Sequence, residues 1–157
     1  MIDATRLSMT THQPTKPTQA TSMTRELTDH KVNPANDLLK ITVEDSPGAG
    51  GAHHFYMISG FDILSNPSTA EICFEDGVPN VFPFLFQNGP INEVGVNGVT
   101  HEALIAIVID RLRCFQSGPY ACAENACALT QLEAALASLH SRTRARMDRG
   151  VEGTHQR

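Results

Sequence analysis

The side chains of this 157-residue chain that could do chemistry are few and scattered. There is no phosphate-loop motif, no Gly-x-Gly-x-x-Gly and no Gly-x-Ser-x-Gly. His53 and His54 suit a metal ligand or general base, but adjacent strand residues face opposite sides, so at most one enters a given site. One surface histidine beside one satisfied core histidine is the plainer reading. Cys122 and Cys127 stand five apart on an expected helix and diverge, which is poor metal geometry and favours core packing. Arg111 and Arg113 lie near the end of another helix, where positions two apart diverge by about 200°. One can face a cleft and the other a partner chain; Arg111, directly after Asp110, is also explained as solvated surface. Arginine is the residue suited to bidentate phosphate recognition. Phe86-Gln87-Asn88-Gly89-Pro90 closes an apolar strand with an aromatic, two amides and a turn. Such a group stacks a base and reads its edge, or is a core phenylalanine before an ordinary turn. The tail Arg149-Gly150-Val151-Glu152-Gly153-Thr154-His155 combines donors with glycines that permit close backbone approach, although chain ends commonly fray.

The elements that must position these residues fall into an α+β order. Residues 1–36 are polar and threonine-rich with almost no apolar periodicity, the composition of a disordered leader. Met9 and Met23 are further candidate starts. Residues 37–98 form an antiparallel β unit of four to six short strands: 38–44, 53–59, 70–74 and 81–86, with short apolar runs at 61–64 and 91–96. Turns are expected at Asn66-Pro67-Ser68, Glu75-Asp76-Gly77 and Asn97-Gly98. Pro83 cannot donate to a ladder, so its strand belongs at an edge or bulge. Residues 99–157 form a helical oligomerisation and ligand-binding region. Its first helix, 101–116, carries apolar residues at helical spacing after a Thr100 cap. The second, from Tyr120 to about Arg149, repeats Leu129, Leu132, Leu136 and Leu139 at coiled-coil spacing and ends in basic turns. Thirty residues make roughly 45 Å of helix, too long for so small a globule. A hairpin with the first helix accounts for about half of it, and packing between chains is the favoured use.

Composition bounds the function. The net charge is −5, against the strong basic footprint that binding to nucleic-acid polymers requires. No apolar run approaches the roughly 20 residues of a membrane helix, and no basic-then-apolar signal pattern is present. Four cysteines do not call for a disulfide scaffold.

Two stretches carry a family resemblance: Phe86-Gln-Asn-Gly-Pro-Ile-Asn-Glu-Val-Gly-Val-Asn-Gly-Val-Thr-His-Glu-Ala-Leu-Ile-Ala-Ile-Val-Ile-Asp-Arg-Leu112, and Ala121-Cys-Ala-Glu-Asn125 through Leu139-His-Ser-Arg-Thr-Arg144 to Arg149-Gly-Val-Glu-Gly-Thr-His155. Together they resemble phage Thoeris anti-defence proteins of the first type, which share their helical C-terminal domain with phage anti-CBASS sponges. The resemblance implies binding without turnover. Such proteins sequester cyclic ADP-ribose isomers in the cytoplasm of the infected host, and some members hold cyclic oligonucleotides. It implies a homodimer or homohexamer with pockets between protomers, and neither cofactor nor metal. Carried onto this chain, it places a cyclic ADP-ribose pocket at Phe86, Asn92, Asn97, Arg111 and Arg113. It places a second, cyclic-oligonucleotide pocket at Arg142, Arg144, Arg149, Thr154 and His155. A ligand with two phosphate charges, an adenine and ribose hydroxyls needs the cations, stacking surface and amides these residues supply.

Two other classes compete. A phosphodiesterase-like enzyme degrading the same signals would use His53, His54 and His101, though no tight His/Asp/Glu motif supports it. A purely structural oligomerisation module would bind no small molecule.

Overall fold

A computed structural model describes residues 24–71 and 81–156. Its sheet is a four-stranded antiparallel meander: β1 (Arg25–Leu27), β2 (Lys40–Val43), β3 (Phe55–Ser59) and β4 (Val81–Leu85), paired in that order. A five-residue helix, α1 (Pro34–Leu38), joins β1 to β2; Asn33 caps it by accepting from the Asn36 N–H. A single helical turn, α2 (Ile91–Val94), follows β4, and the chain closes with α3 (His101–Gln116) and α4 (Ala123–Asp148).

The α+β order holds, with local corrections. Residues 25–27 lie in the sheet, opposite residues 41–43, so part of the segment read as a disordered leader is a strand; residues 1–23 lie outside the described residues. Residues 91–94 turn into helix instead of extending, because Pro90 starts a turn that Gly95 ends by returning its N–H to the Ile91 carbonyl. Ala70 and Glu71 form a turn after a 3₁₀ segment capped by Asn66; the rest of the strand expected there, and the Glu75-Asp76-Gly77 turn, lie outside the described residues.

β4 is an edge strand, as Pro83 requires. The Phe86 N–H donates to the His54 carbonyl at 2.8 Å. Antiparallel pairs alternate, so Phe84 and Phe82 also face β3, while Pro83, opposite Met57, turns its nitrogen to the free edge. The same alternation places Tyr56, Ile58, Ile41, Phe84 and Phe86 on one face of the sheet.

Helices α3 and α4 form an antiparallel hairpin. Thr100 caps α3 by accepting from the Ala103 N–H, and Cys122 caps α4 through its sulfur, which accepts from the Asn125 N–H. Ion pairs mark both ends of the hairpin: Glu102 with Arg142 at 4.0 Å, and Arg113 with Glu133 at 2.6 Å. At 1.5 Å per residue, α3 spans about 24 Å and α4 about 39 Å. Leu129, Leu132, Leu136 and Leu139 are half-buried on one stripe of α4, and Leu136 shares a small cavity with Ile109 of α3. The seam expected to join chains therefore packs within one chain first, because the turn after α3 is short enough to fold α4 directly back. Cys122 and Cys127, expected in the core, are exposed: one is consumed as a cap and the other sits on the outer face of α4.

Val43 (1% exposed) and Ile109 (3%) are the apolar side chains most fully enclosed among the described residues. By contrast Ile107 on α3 is 65% exposed, and Val108 and Tyr120 are open too.

Asp45, in the loop before β3, gives the fold a pH dependence. Burial pushes its carboxyl upward, but backbone N–H donors from His54 and Phe55, helped by His53, outweigh that and hold it below the usual carboxylate range. The sign follows: the folded chain binds the proton more weakly than the unfolded one, so Asp45 contributes stability in full above the ordinary carboxylate range. That contribution disappears as pH falls through that range to its own lower pKa. Urea unfolding from pH 7 down to pH 3 should show a shallower loss of stability in Asp45→Asn than in the parent; parallel curves would reject it.

Candidate binding groove

The aromatic face of the sheet and the open end of the hairpin enclose a groove of about 1180 Å³, somewhat above the usual range for small-molecule sites. Its floor is Leu27, Ile41, Tyr56, Ile58, Phe84 and Phe86; one wall is Thr100, His101, Glu102 and Leu104 from the start of α3. His140, Arg142, Thr143 and Arg146 from the end of α4 line the groove beside them, with Arg142 4.0 Å from Glu102, and residues 152–156 close the rim. The junction between floor and wall is narrow. Phe86 and Val99 form an isolated bridge: Val99 N–H donates to the Leu85 carbonyl at 2.8 Å, and Gln87 N–H to the Val99 carbonyl at 2.9 Å. The Phe86 ring meets Tyr56 edge-on and lies under His101 with centroids 5.2 Å apart, so the exposed surface of that stack belongs to His101.

The tail reaches the groove through α4's terminus and one arginine. Gly150, at φ +69, takes the left-handed position; its N–H donates to the Met147 carbonyl and the Val151 N–H to the Arg146 carbonyl. This is the Schellman closure that glycine permits without a Cβ penalty. The Arg146 guanidinium then donates to Glu152 at 2.7 Å and to the carbonyls of Gln156, Val151 and Thr154 at 2.8, 2.9 and 3.1 Å. Thr154 adds a bond to the Val151 carbonyl, and His155 lies 3.7 Å from Glu93 of α2. Arg146 was among the basic last turns of the helix but not among the expected site residues; the signal that could have found it is its spacing ahead of Gly150 and Glu152.

Of the residues expected to bind, Phe86, Arg142, Thr154 and His155 line this groove. Asn92 lies at its rim, where a Cβ on Gly153 would sit 3.3 Å from the Asn92 amide. Residues assigned to two pockets therefore meet in one. Asn97 is turned into the adjoining loop: its side chain accepts from the Asn88 N–H and donates to the Asn88 carbonyl. Gln87 does the same work, holding the Gly89 and Gly95 carbonyls and the Asn97 N–H. Arg113 is tied to Glu133, and Arg111 sits 4.8 Å over the Phe115 ring, both on the hairpin outside the groove lining. Arg144 and Arg149 are exposed and also outside it. His53 and His54 both line the groove, against the expectation that at most one would enter a given site, because they precede β3 and are not held to strand alternation; His53 Nδ1 donates to the Asp45 carbonyl at 2.7 Å. His54 is buried as expected but is not satisfied: its Nδ1 has no hydrogen-bond partner.

An aromatic floor, basic side chains from the end of α4 and a tail drawn over the rim mark a small α+β protein built around a helical hairpin. Residues 81–144 match the Acb2/Tad1, hairpin domain family. The chain is 56% identical over 113 residues to "Thoeris anti-defense 1" of Bacillus phage SBSphiJ7; the match covers 67% of this chain and 80% of that protein. The chain belongs to the Thoeris anti-defence 1 family.

Proposed function

We propose that this phage-type anti-defence protein binds and sequesters cyclic nucleotide immune signals without cleaving them, in the cytoplasm of the infected host. Its ligands are glycocyclic ADP-ribose isomers and, by the likeness of the hairpin, cyclic oligonucleotides. One observation carries the reading: the matched hairpin brings Arg142, the tail and the Phe86–His101 stack to a single groove. A base rests on the aromatic stack, phosphates meet Arg142, and Asn92, Thr154 and His155 offer polar contacts at the rim. The name of the Bacillus phage relative supports the anti-defence role.

The assembly is a homodimer or homohexamer. Exposed Ile107, Val108 and Tyr120 on the hairpin support contact between copies. Arg111, Arg113, Asn97, Arg144 and Arg149 join a pocket only across such a contact. A sponge must outcompete the effector's receptor, so nanomolar affinity, about −12 kcal/mol, is expected.

The test is capture and release. Purified protein is incubated with glycocyclic ADP-ribose, and separately with a cyclic trinucleotide; the protein is filtered away, then heat-denatured. Intact ligand lost from the filtrate and recovered on heating is the expected result. Cleaved ligand points to a phosphodiesterase, and ligand left in the filtrate to a structural module; either overturns the proposal. A solution mass equal to one 17.1 kDa chain would overturn the assembly.

A further inference from the structure

The side chains of the groove that are ionised at neutral pH cancel one another. Arg142 lies 4.0 Å from Glu102, and Arg146 donates to Glu152 at 2.7 Å. These two cations and two carboxylates leave no net charge for an anion. What the groove holds instead is imidazole. Of the seven histidines in the chain, five line it: His53, His54, His101, His140 and His155. They are not equally available. His54 is buried with its Nδ1 enclosed, His53 is bonded to the Asp45 carbonyl, and His155 stands 3.7 Å from Glu93. His101 of α3 and His140 of α4 are exposed residues, and neither ring makes a hydrogen bond among the described residues.

Histidine changes charge roughly between pH 5 and 8, and an anion brought beside it favours the charged form. The His101 ring lies over Phe86 with centroids 5.2 Å apart, and an aromatic face beneath a cation attracts it. Its edge nitrogens are left to donate. Around the two rings, Glu102 and Glu152 favour an added proton, while Arg142, Arg146 and the amino end of α3 oppose it. Tyr56 on the floor completes the titratable groups of the lining, and behind His140 the Arg113–Glu133 pair offsets itself. We infer that the ligand's phosphates bind with proton uptake: His101 and His140 become charged as the anion arrives and donate to it, beside an Arg142 whose charge Glu102 otherwise offsets. The inference rests on the sequestration reading and adds to it the source of the counter-charge.

The experiment is calorimetric titration of the full chain with a glycocyclic ADP-ribose isomer at pH 7, in two buffers of different ionisation enthalpy. The parent is compared with the His101→Gln, His140→Gln double variant, because glutamine can donate but cannot become charged. The difference in heat between buffers counts the protons exchanged. The complex holds the proton more tightly than the free protein, so affinity rises as pH falls. The parent should take up about one proton and bind about 30-fold more tightly at pH 6 than at pH 8, the scale of a rise of about one pKa unit at each of two histidines. The double variant should lose the uptake and flatten the pH dependence. Binding by the parent without proton uptake, or uptake unchanged in the double variant, overturns this inference and leaves sequestration standing; no binding by the parent overturns both. If the double variant fails to bind or to melt cooperatively, nitrogen-15 spectra of the parent decide. Titration midpoints of the His101 and His140 rings that rise on saturation support the inference, and midpoints that do not move reject it.

Discussion

Gly98→Ala is expected to lower the melting midpoint by about 10 °C, a loss of roughly 3 kcal/mol at this chain length. A Cβ at position 98 would land on the Phe86 carbonyl carbon and lie 2.6 Å from both Gln87 N and Phe86 O. These are backbone atoms, so no side chain can swing aside, and the two segments must separate. Separation breaks the bonds of Val99 N–H to Leu85 and Gln87 N–H to Val99, which are the bridge from sheet to hairpin. The damage is therefore predicted at the junction that shapes the groove, and ligand capture should weaken along with stability. Gly118→Ala is the control, since a Cβ there approaches nothing closer than 3.4 Å, the Cys114 carbonyl oxygen. Equal melting of the Gly98 and Gly118 variants would show that the junction yields freely.

Arg146→Ala should release the tail while leaving sheet and hairpin folded. The side chain is 22% exposed and donates to one carboxylate and three carbonyls, all from residues 151–156. Charge-assisted bonds are stronger than neutral ones, but these acceptors regain water when the tail lifts, so a net docking loss of about 3 kcal/mol is reasonable. Amide exchange at residues 151–156 should then speed up by about 100-fold, with that of β2 and β3 unchanged. Capture of a cyclic nucleotide should weaken too, because the tail forms the rim that carries Thr154 and His155. Arg146→Lys should rescue little: an ammonium keeps the charge but cannot serve several acceptors from a planar fork. Unchanged exchange in the alanine variant would mean that the Schellman turn alone holds the tail.

Both predictions concern places where remote segments meet. Local order was readable from residue type and period. Alternation in 53–59 separated Tyr56 and Ile58 from Phe55 and Met57, and the edge placement of Pro83 followed from a missing donor. Thr100 opened α3 and glycine closed α4, because caps act within one turn of the chain. The family ending, Arg-Gly-Val-Glu-Gly-Thr-His, was visible as a string of residues without its geometry.

Tertiary placement decided the rest. Arg113 and Arg142 look alike in the sequence, yet one is spent on Glu133 and the other lines the groove, because an antiparallel return decides which carboxylate each one meets. Asn97 and Asn92 are both turn amides, but only the folded loop shows the first bonded to the Asn88 backbone and the second against Gly153. Residues 25–27 have little apolar pattern of their own and are ordered by the edge of β2 that accepts them. Periodicity and capping depend on neighbours a few residues away, so they are written in the chain. Which donors remain free for a ligand depends on contacts between segments tens of residues apart, and those exist only once sheet and hairpin have met at Phe86.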